Sequence, residues 1–161
     1  MKCPSCKRPM VSKKTDYHYV DCGLKNIFLN GIEVKKCEEC GEEEIVLPNL
    51  EELHSLIAHD IAMQPERLRP EEIRFLRTHL GFSGVDFAKL VSVTPESVSR
   101  WENDADRKME PHTEKLLRLM ILASMGPFRD YEEFKNFGLT NKKTPLKRSF
   151  KVSDKGWKQA A

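Results

Sequence analysis

The hydrophobic positions of residues 68–126 recur every three or four residues, which is the spacing of amphipathic helices. The first of these helices is predicted to begin at Pro70 and to end at Gly81, with Ile73 and Leu76 on its apolar side. The same spacing near the end of this stretch predicts a last helix of similar character. This part of the chain is therefore expected to form an all-α bundle.

Two short helices joined by a tight turn are predicted inside this bundle. Ser83 has the residue type and position of an N-cap for the first helix, and Thr94 followed by Pro95 has them for the second. In the second helix, Val98 and Trp101 lie three residues apart on one predicted buried face. Two short helices with such a turn describe a helix-turn-helix.

The first 48 residues show short stretches of alternating apolar and polar residues, which predict β-strands. Strands are predicted at residues 17–24, on both sides of Asn30-Gly31, and at residues 43–48. Asn-Gly between two apolar runs is a strong hairpin signal, so a hairpin turn is predicted at that dipeptide.

Two C-x-x-C pairs flank these strands, Cys3 with Cys6 and Cys37 with Cys40. Four thiolates are the ligand number of a closed tetrahedral zinc site, and each short loop lets two sulfurs reach one ion. A module this small buries too little apolar surface to be secure alone, so the ion would supply folding free energy. We predict one structural Zn²⁺ held by these four cysteines. A redox pair is disfavoured because neither motif lies in a βαβ pattern, and Cys22 is predicted to be a free thiol.

These patterns predict an α+β protein in which a small β-rich four-cysteine zinc module is followed by an all-α helix-turn-helix bundle. Asn49 and Glu52 have the spacing of a capping box at the start of a connecting helix. The predicted organisation is a zinc module at residues 1–48, a linker helix at 49–67, a DNA-binding domain at 68–126 and a C-terminal extension at 127–161 with a partly disordered basic tail. Residues 126–139 are a candidate for one further helix.

The net charge of +2 hides two oppositely charged stretches. Residues 38–52 contain seven glutamates and no Lys or Arg, whereas residues 142–161 contain seven Lys and Arg and one Asp. The two stretches are expected to meet different partners. The basic tail is compatible with a disordered segment, with a strand at residues 148–157, or with electrostatic binding to DNA phosphates.

No membrane contact is expected, because no run approaches the ~18 consecutive apolar residues of a membrane span. The N-terminus also lacks the charged-then-apolar pattern of a secretory signal, which predicts a cytoplasmic protein.

The segment "SGVDFAKLVSVTPESVSRWEN" resembles the phage-repressor-like (XRE) helix-turn-helix family. The positions that match the family pattern are Ala88, Val93, Val98, Trp101, Glu102 and Asn103. Three positions depart from it, since Gly84, Ser92 and Asp104 stand where the family has Gln, Gly and Gly. The resemblance implies that the second helix enters the major groove of double-stranded DNA.

The outward residues of that helix are the predicted base contacts. Arg100 is the strongest candidate, because its guanidinium can donate two parallel hydrogen bonds to guanine O6 and N7. Glu96 can accept from a cytosine amine, and Ser83 and Thr94 lie at helix N-termini, where phosphates bind. The predicted DNA-binding residues are Ser83, Thr94, Glu96, Ser97, Ser99 and Arg100. Proteins of this type usually bind as dimers, so a homodimer on a palindromic operator is predicted.

Residues 1 to about 125 are similar to the zinc-finger antitoxins of the MqsA (YgiT-type) family. The similarity lies in the two thiol pairs and in the segments "LRPEEIRFLR" and "SVSRWEN". The resemblance implies a non-enzymatic antitoxin of a type II pair that represses its own operon. In that family the zinc module binds the toxin, commonly an mRNA-cleaving ribonuclease. An acidic surface suits such a basic partner, and the predicted contacts are Glu38, Glu39, Glu42, Glu43 and Glu44.

Three other interpretations of the sequence stay open. The chain can be a stand-alone regulator whose zinc module senses metal or a small ligand, or a zinc-ribbon module that acts on the transcription machinery. The bundle can also be a helical core that binds no DNA. An enzyme is least supported, because no carboxylate pair, nucleophile–base set or phosphate loop stands out.

Overall fold

A computed structural model describes residues 1–126 and 147–160. The elements in chain order are β1 (Val11–His18), β2 (Ile27–Lys36), β3 (Glu43–Val46), α1 (Leu50–Met63), α2 (Pro70–His79), α3 (Gly84–Leu90), α4 (Pro95–Asn103), α5 (Pro111–Ser124), β4 (Arg148–Ser153) and β5 (Gly156–Gln159). The predicted α+β class is confirmed. Among the described residues, no helix is long and apolar enough to cross a bilayer. The further helix predicted at residues 126–139 falls largely outside the described residues.

The described residues divide into two compact units. A sheet unit comprises residues 1–21, 25–53 and 147–160, and a helical unit comprises residues 22–24 and 54–126. The sheet unit therefore draws its strands from both ends of the described chain.

The sheet unit is built around β2, which pairs with three other strands. β1 pairs antiparallel with it along one edge, whereas β3 and β4 share its other edge. β3 is antiparallel to residues 33–36 and β4 is parallel to residues 27–30, and β5 then pairs antiparallel with β4. One face of the sheet is apolar, with Ile27, Leu29, Phe150 and Trp157 buried.

The hairpin predicted at Asn30-Gly31 is wrong, because β2 runs straight through this dipeptide. The register with β1 shifts here, since Thr15 opposes Ile32 while Tyr17 opposes Leu29. Gly31 has a φ of +67°, and its N–H donates to Oδ1 of Asp16 at 3.1 Å. Glycine in the left-handed region thus supplies a β-bulge, where the sequence pattern indicated a turn.

The strand predicted at residues 17–24 is also wrong beyond His18, because residues 19–26 connect β1 to β2. Gly23, with a φ of +84°, bends this connection. The true first strand is Val11–His18, and all but one of its residues are exposed. Such a strand has no apolar alternation, because neither of its faces is buried.

The disordered tail predicted from the basic composition does not apply to residues 148–159, which form β4 and β5. Trp157 is buried, and its indole N–H donates to the carbonyl of Pro48 at 2.7 Å. Arg148 is buried as well, and its backbone N–H donates to the carbonyl of Asn26 at 2.9 Å. The apolar residues of this segment therefore belong to the core of the sheet unit.

The helical unit contains the helices predicted from apolar spacing. Pro70, Pro95 and Pro111 each occupy the first turn of their helices. Ser83 and Thr94 cap α3 and α4 as predicted, accepting from the N–H groups of Asp86 and Ser97. The core of the unit includes Leu76, Phe87, Ala88, Val98, Leu117 and Ile121, all of which are buried.

The turn between α3 and α4 contains a strained residue. Ser92 has a φ of +58°, in the left-handed region that glycine adopts freely. We expect Ser92→Gly to raise the free energy of unfolding by about 0.5–1 kcal/mol, because relief of side-chain strain exceeds the entropy that glycine adds to the unfolded chain. Urea denaturation followed by helical circular dichroism measures the change.

Ser99→Gly is the matched control for this substitution, because Ser99 is an exposed residue inside α4. Glycine is the poorer helix former, so this variant is expected to lose about 0.5 kcal/mol. A loss of stability in both variants would mean that the turn does not strain Ser92.

Candidate metal centre and nucleic-acid interface

The four predicted metal ligands converge at one end of the sheet unit. The sulfurs of Cys3, Cys6, Cys37 and Cys40 all lie within 4.8 Å of one another. The Sγ–Sγ distance is 3.5 Å between Cys3 and Cys40 and 3.4 Å between Cys6 and Cys37. These separations are far from a disulfide bond and approach the edge of about 3.8 Å that four 2.3 Å zinc–sulfur bonds would give a tetrahedron. The cluster can hold one metal ion.

The two cysteine loops have the same backbone conformation. The N–H of Lys7 donates to the carbonyl of Cys3 at 3.0 Å, and the N–H of Gly41 donates to the carbonyl of Cys37 at 2.9 Å. Lys7 and Gly41, each directly after its second cysteine, have φ values of +63° and +76°. Each first cysteine is buried and also donates its N–H to the carbonyl five residues later. The loop that begins at Cys3 and the loop that begins at Cys37, 34 residues later, thus hold their two cysteines in matching backbone conformations.

The proton affinities of the thiols indicate that the cluster favours a cation. The pKa of Cys37 is lowered to about 7, first because a backbone hydrogen bond from Cys40 stabilises the thiolate. A backbone hydrogen bond from Glu42 also lowers the pKa of Cys40, but the three neighbouring sulfurs outweigh it and raise this pKa to about 12. Four such close thiols cannot all ionise unless a positive ion offsets their repulsion. A metal that binds thiolates provides that offset.

Cys22 lies outside the cluster and is half-buried. Its position in the connection between β1 and β2, and not in a strand, corrects the predicted setting of this thiol.

The helix-turn-helix consists of α3, the turn at residues 91–94 and α4. Val98 is 1% exposed and Trp101 is 5% exposed, so these two side chains fix which side of α4 faces the core. Glu96, Ser99 and Arg100 are exposed on the other side, and Ser97 is half-buried. The side that sequence reasoning assigned to DNA is therefore solvent-accessible.

The motif residues after Trp101 attach α4 to α2. Glu102 accepts from Nε of Arg77 at 2.5 Å and from its Nη2 at 3.0 Å. Oδ1 of Asn103 accepts from Nη2 of Arg74 at 2.7 Å. The two sequence segments that carried the family resemblance are thus joined to each other by hydrogen bonds between α2 and α4.

The hydroxyls of Ser83 and Thr94 are occupied in capping. Ser83 donates its proton to the Asp86 carboxylate at 2.7 Å, and Thr94 lies 3.1 Å from the hydroxyl of Ser97. The Asp86 charge next to Ser83 opposes an approaching phosphate. The phosphate contact assigned to Ser83 stays a prediction. Because the hydroxyl already donates to Asp86, a backbone N–H would have to make this contact.

A cleft of about 370 Å³ lies beside α4 and extends the candidate interface beyond the predicted residues. Arg107 and Lys108, from the loop between α4 and α5, line this cleft together with Ser97 and Arg100. Asp106 and Glu110 line it as well. Sequence reasoning missed the loop, although a cluster of charges directly after the Trp-Glu-Asn motif was a visible signal.

The predicted partner-binding glutamates differ in their surroundings. Glu43 forms an ion pair with Lys36 at 2.7 Å, and Glu42 accepts from the hydroxyl of Ser5 at 3.1 Å. Glu44 is half-buried, whereas Glu38 and Glu39 are exposed between Cys37 and Cys40. Glu38 and Glu39 are consequently the carboxylates most accessible to a partner.

Comparisons of the chain with protein-family models, with curated proteins and with solved structures give no match.

Proposed function

We propose that this protein is a sequence-specific repressor that binds double-stranded DNA, and that it serves as the antitoxin of a type II toxin–antitoxin pair. The DNA-binding part is supported by one observation above all, the exposed polar side of α4 opposite buried Val98 and Trp101. The antitoxin part rests on the resemblance of the two cysteine pairs and the helix-turn-helix to the MqsA (YgiT-type) family. In this proposal the protein binds and does not catalyse.

The four-cysteine cluster holds a single structural Zn²⁺ in this proposal. Four thiolates in closed tetrahedral geometry favour zinc, and they leave no open coordination position for a substrate. The chain's own residues form the site: buried Cys3 and Cys37 anchor it, while Cys6 and Cys40 close it at the surface. When bound, the ion would cross-link the loop of Cys3 and Cys6 to the loop of Cys37 and Cys40.

Arg100→Ala tests the base-reading role of α4. We expect this substitution to weaken binding to the DNA upstream of the protein's own gene by about 1–3 kcal/mol, because a bidentate contact to guanine would be lost. The affinity for random-sequence DNA should change much less. A gel shift with both duplexes measures the difference, and base substitutions in the upstream duplex identify the position that loses discrimination.

Equal losses on both duplexes would make Arg100 a phosphate contact and contradict its base-reading role. No preference of the unmodified protein for upstream DNA would contradict the repressor proposal itself. Under the proposal, a footprint should cover two symmetry-related half-sites, since a dimer places its two reading helices about one turn of DNA apart.

The toxin-binding role is assigned to the acidic loop between Cys37 and Cys40. We expect Glu38→Lys with Glu39→Lys to weaken binding of a basic toxin encoded beside the gene, because both exposed charges would change from attractive to repulsive. Pull-down of that gene product at low salt measures the loss. Glu51→Lys, at an exposed residue of α1, is the control and should retain the toxin.

An unchanged toxin affinity at low salt would place the toxin contact elsewhere. The absence of any co-purifying toxin, with operator binding intact, would favour the alternative of a stand-alone zinc-containing regulator. In either case the gel shift remains an independent measurement of DNA binding.

A further inference from the structure

The side chains of one region on the outer face of the sheet are basic. Lys147 directly before β4, Lys151 on β4 and Lys158 on β5 are all exposed. Phe28 on β2 and His18 on β1 lie beside them. The register places them on one side, because Phe28 opposes both His18 and Ser149, and Lys151 lies two residues after Ser149. We call these five residues the lysine face.

Two lysines of this face lie directly opposite each other. Lys151 on β4 is the cross-strand partner of Lys158 on β5. Like charges in directly opposite positions destabilise a strand pair. Within residues 1–126 and 147–160, neither lysine has a carboxylate at ion-pair distance. Among the described residues no carboxylate offsets this repulsion, so the two charges are available to an anionic ligand.

The third lysine is held in place by stacked rings. Nζ of Lys147 lies 4.5 Å from the centre of the Phe28 ring, which is a cation–π contact. The His18 ring stacks on Phe28 with a centroid distance of 4.6 Å and an interplanar angle of 7°. The His18 ring is itself fixed by a 2.7 Å hydrogen bond between Nε2 and the carbonyl of Lys25. This ammonium group is therefore positioned before any ligand arrives.

We propose that the lysine face binds the phosphate backbone of double-stranded DNA, in addition to the contacts made by α4. This proposal rests on the proposed function and names a second contact for the same partner. Lys147 and Lys151 are four residues apart, so an extended backbone separates their α-carbons by about 13 Å, a length comparable with the spacing of neighbouring phosphates in a duplex. Lysines contact phosphates as point charges and read no sequence.

The rings favour a duplex over a single strand. Proteins that bind single strands stack unpaired bases on exposed aromatic faces. The Phe28 ring stacks on the His18 ring and contacts Nζ of Lys147, so these two contacts compete with the stacking of a base on Phe28. The three exposed ammonium groups suit the sequence-independent phosphate backbone of a duplex.

The test compares Lys151→Gln/Lys158→Gln with Lys13→Gln/Lys14→Gln in the full chain. The control lysines are exposed on β1, where their cross-strand partners are Val34 and Glu33. Fluorescence anisotropy over a range of salt concentrations measures binding to upstream DNA and to a random-sequence duplex of equal length. We expect Lys151→Gln/Lys158→Gln to reduce the salt slope by about 1.8, because each lost phosphate contact removes about 0.9. Affinity should fall several-fold on both duplexes alike, and the control should retain the original slope.

Lys158→Glu separates binding from folding, because it places opposite charges at the Lys151–Lys158 pair. This variant should unfold at an equal or higher urea concentration and yet bind DNA more weakly. Unchanged salt slopes in both variants would overturn the inference while leaving the repressor proposal intact. The same titrations with a single DNA strand and with polyglutamate, a probe for an acidic protein, test two other ligands. Tighter binding of the single strand than of the duplex would overturn the inference in favour of single-stranded nucleic acid. Variants that lose binding to polyglutamate but bind DNA unchanged would overturn it in favour of an acidic protein. A protein that does not prefer upstream DNA would contradict the repressor proposal alone, since the random duplex still tests the lysine face.

Discussion

Cys37→Ser is expected to abolish metal binding and to unfold the sheet unit. Cys37 is fully buried, and its sulfur lies in contact with that of Cys6 across the two cysteine loops. Serine cannot replace a thiolate as a zinc ligand, so the cross-link between the chain segments would be lost. Structural zinc sites contribute about 10–16 kcal/mol in small zinc-finger peptides at neutral pH. That contribution is as large as the stability of a typical whole domain.

Metal analysis and β-sheet circular dichroism measure this effect, and the absorption of a cobalt-substituted protein reports thiolate ligation. Cys22→Ser is the matched control, because Cys22 lies outside the cluster. The control should retain one ion per chain and a native spectrum. Acidification should release the ion from the unmodified protein, because protons compete for the thiolates. Retention of metal and fold by Cys37→Ser would contradict a four-cysteine structural site.

Arg118→Met is expected to lower the free energy of unfolding of the helical unit by about 3–5 kcal/mol. The Arg118 side chain is fully buried on α5, and its Nη2 donates to Oε1 of Glu114 at 2.7 Å. The same guanidinium donates to the carbonyls of Gln64 and Glu66, at 2.5 and 2.6 Å. One side chain therefore satisfies the end of α1 and the connection that follows it.

Loss of this guanidinium would leave Glu114 as a buried carboxylate with one fewer donor. Glu114 is 1% exposed, and it also accepts from the N–H of Leu68 at 3.0 Å and from Nε of Arg67 at 2.6 Å. A buried charge and several buried carbonyls cost free energy when their donor is removed. Methionine fills similar space but donates no hydrogen bond.

Urea denaturation followed by helical circular dichroism measures the loss. Lys115→Met is the control, since Lys115 is an exposed basic residue of the same helix and its replacement should change stability by less than about 0.5 kcal/mol. Similar midpoints for Arg118→Met and Lys115→Met would show that the buried network contributes little to stability.

The sequence predicted features whose signal is local. The caps Ser83 and Thr94 and the spacing of Val98 and Trp101 define α3 and α4 without reference to the rest of the chain. The cysteine cluster was predictable as well. A closed zinc site needs four ligands, so two cysteine pairs that are distant in sequence are expected to meet at one ion. The buried network of Arg118 was not predicted. Arginine is rarely buried without a partner, so a basic residue in an amphipathic helix is expected on the exposed side unless its partners are known.

Features that depend on distant pairing were missed or misassigned. Asn30-Gly31 suits a turn and a bulge equally, and only the presence of β1 as the partner of β2 decides between them. The partner of β4 is a strand more than a hundred residues earlier, so alternation at residues 148–157 indicated a strand without indicating its place. The basic composition of this segment favours disorder. Phe150 and Trp157 are nevertheless buried, and their burial depends on the pairing of β4 with β2, which the sequence of the segment does not indicate.

The parallel pairing of β2 with β4 can form only after the helices between them have been translated. Helices α1 to α5 are translated between β3 and β4, so residues 27–30 of β2 lack their β4 partner along one edge while the helices are made. An open strand edge is a template for intermolecular pairing. Residues 27–30 therefore keep one unpaired edge until β4 is translated, and β4 then covers that edge against pairing with other chains.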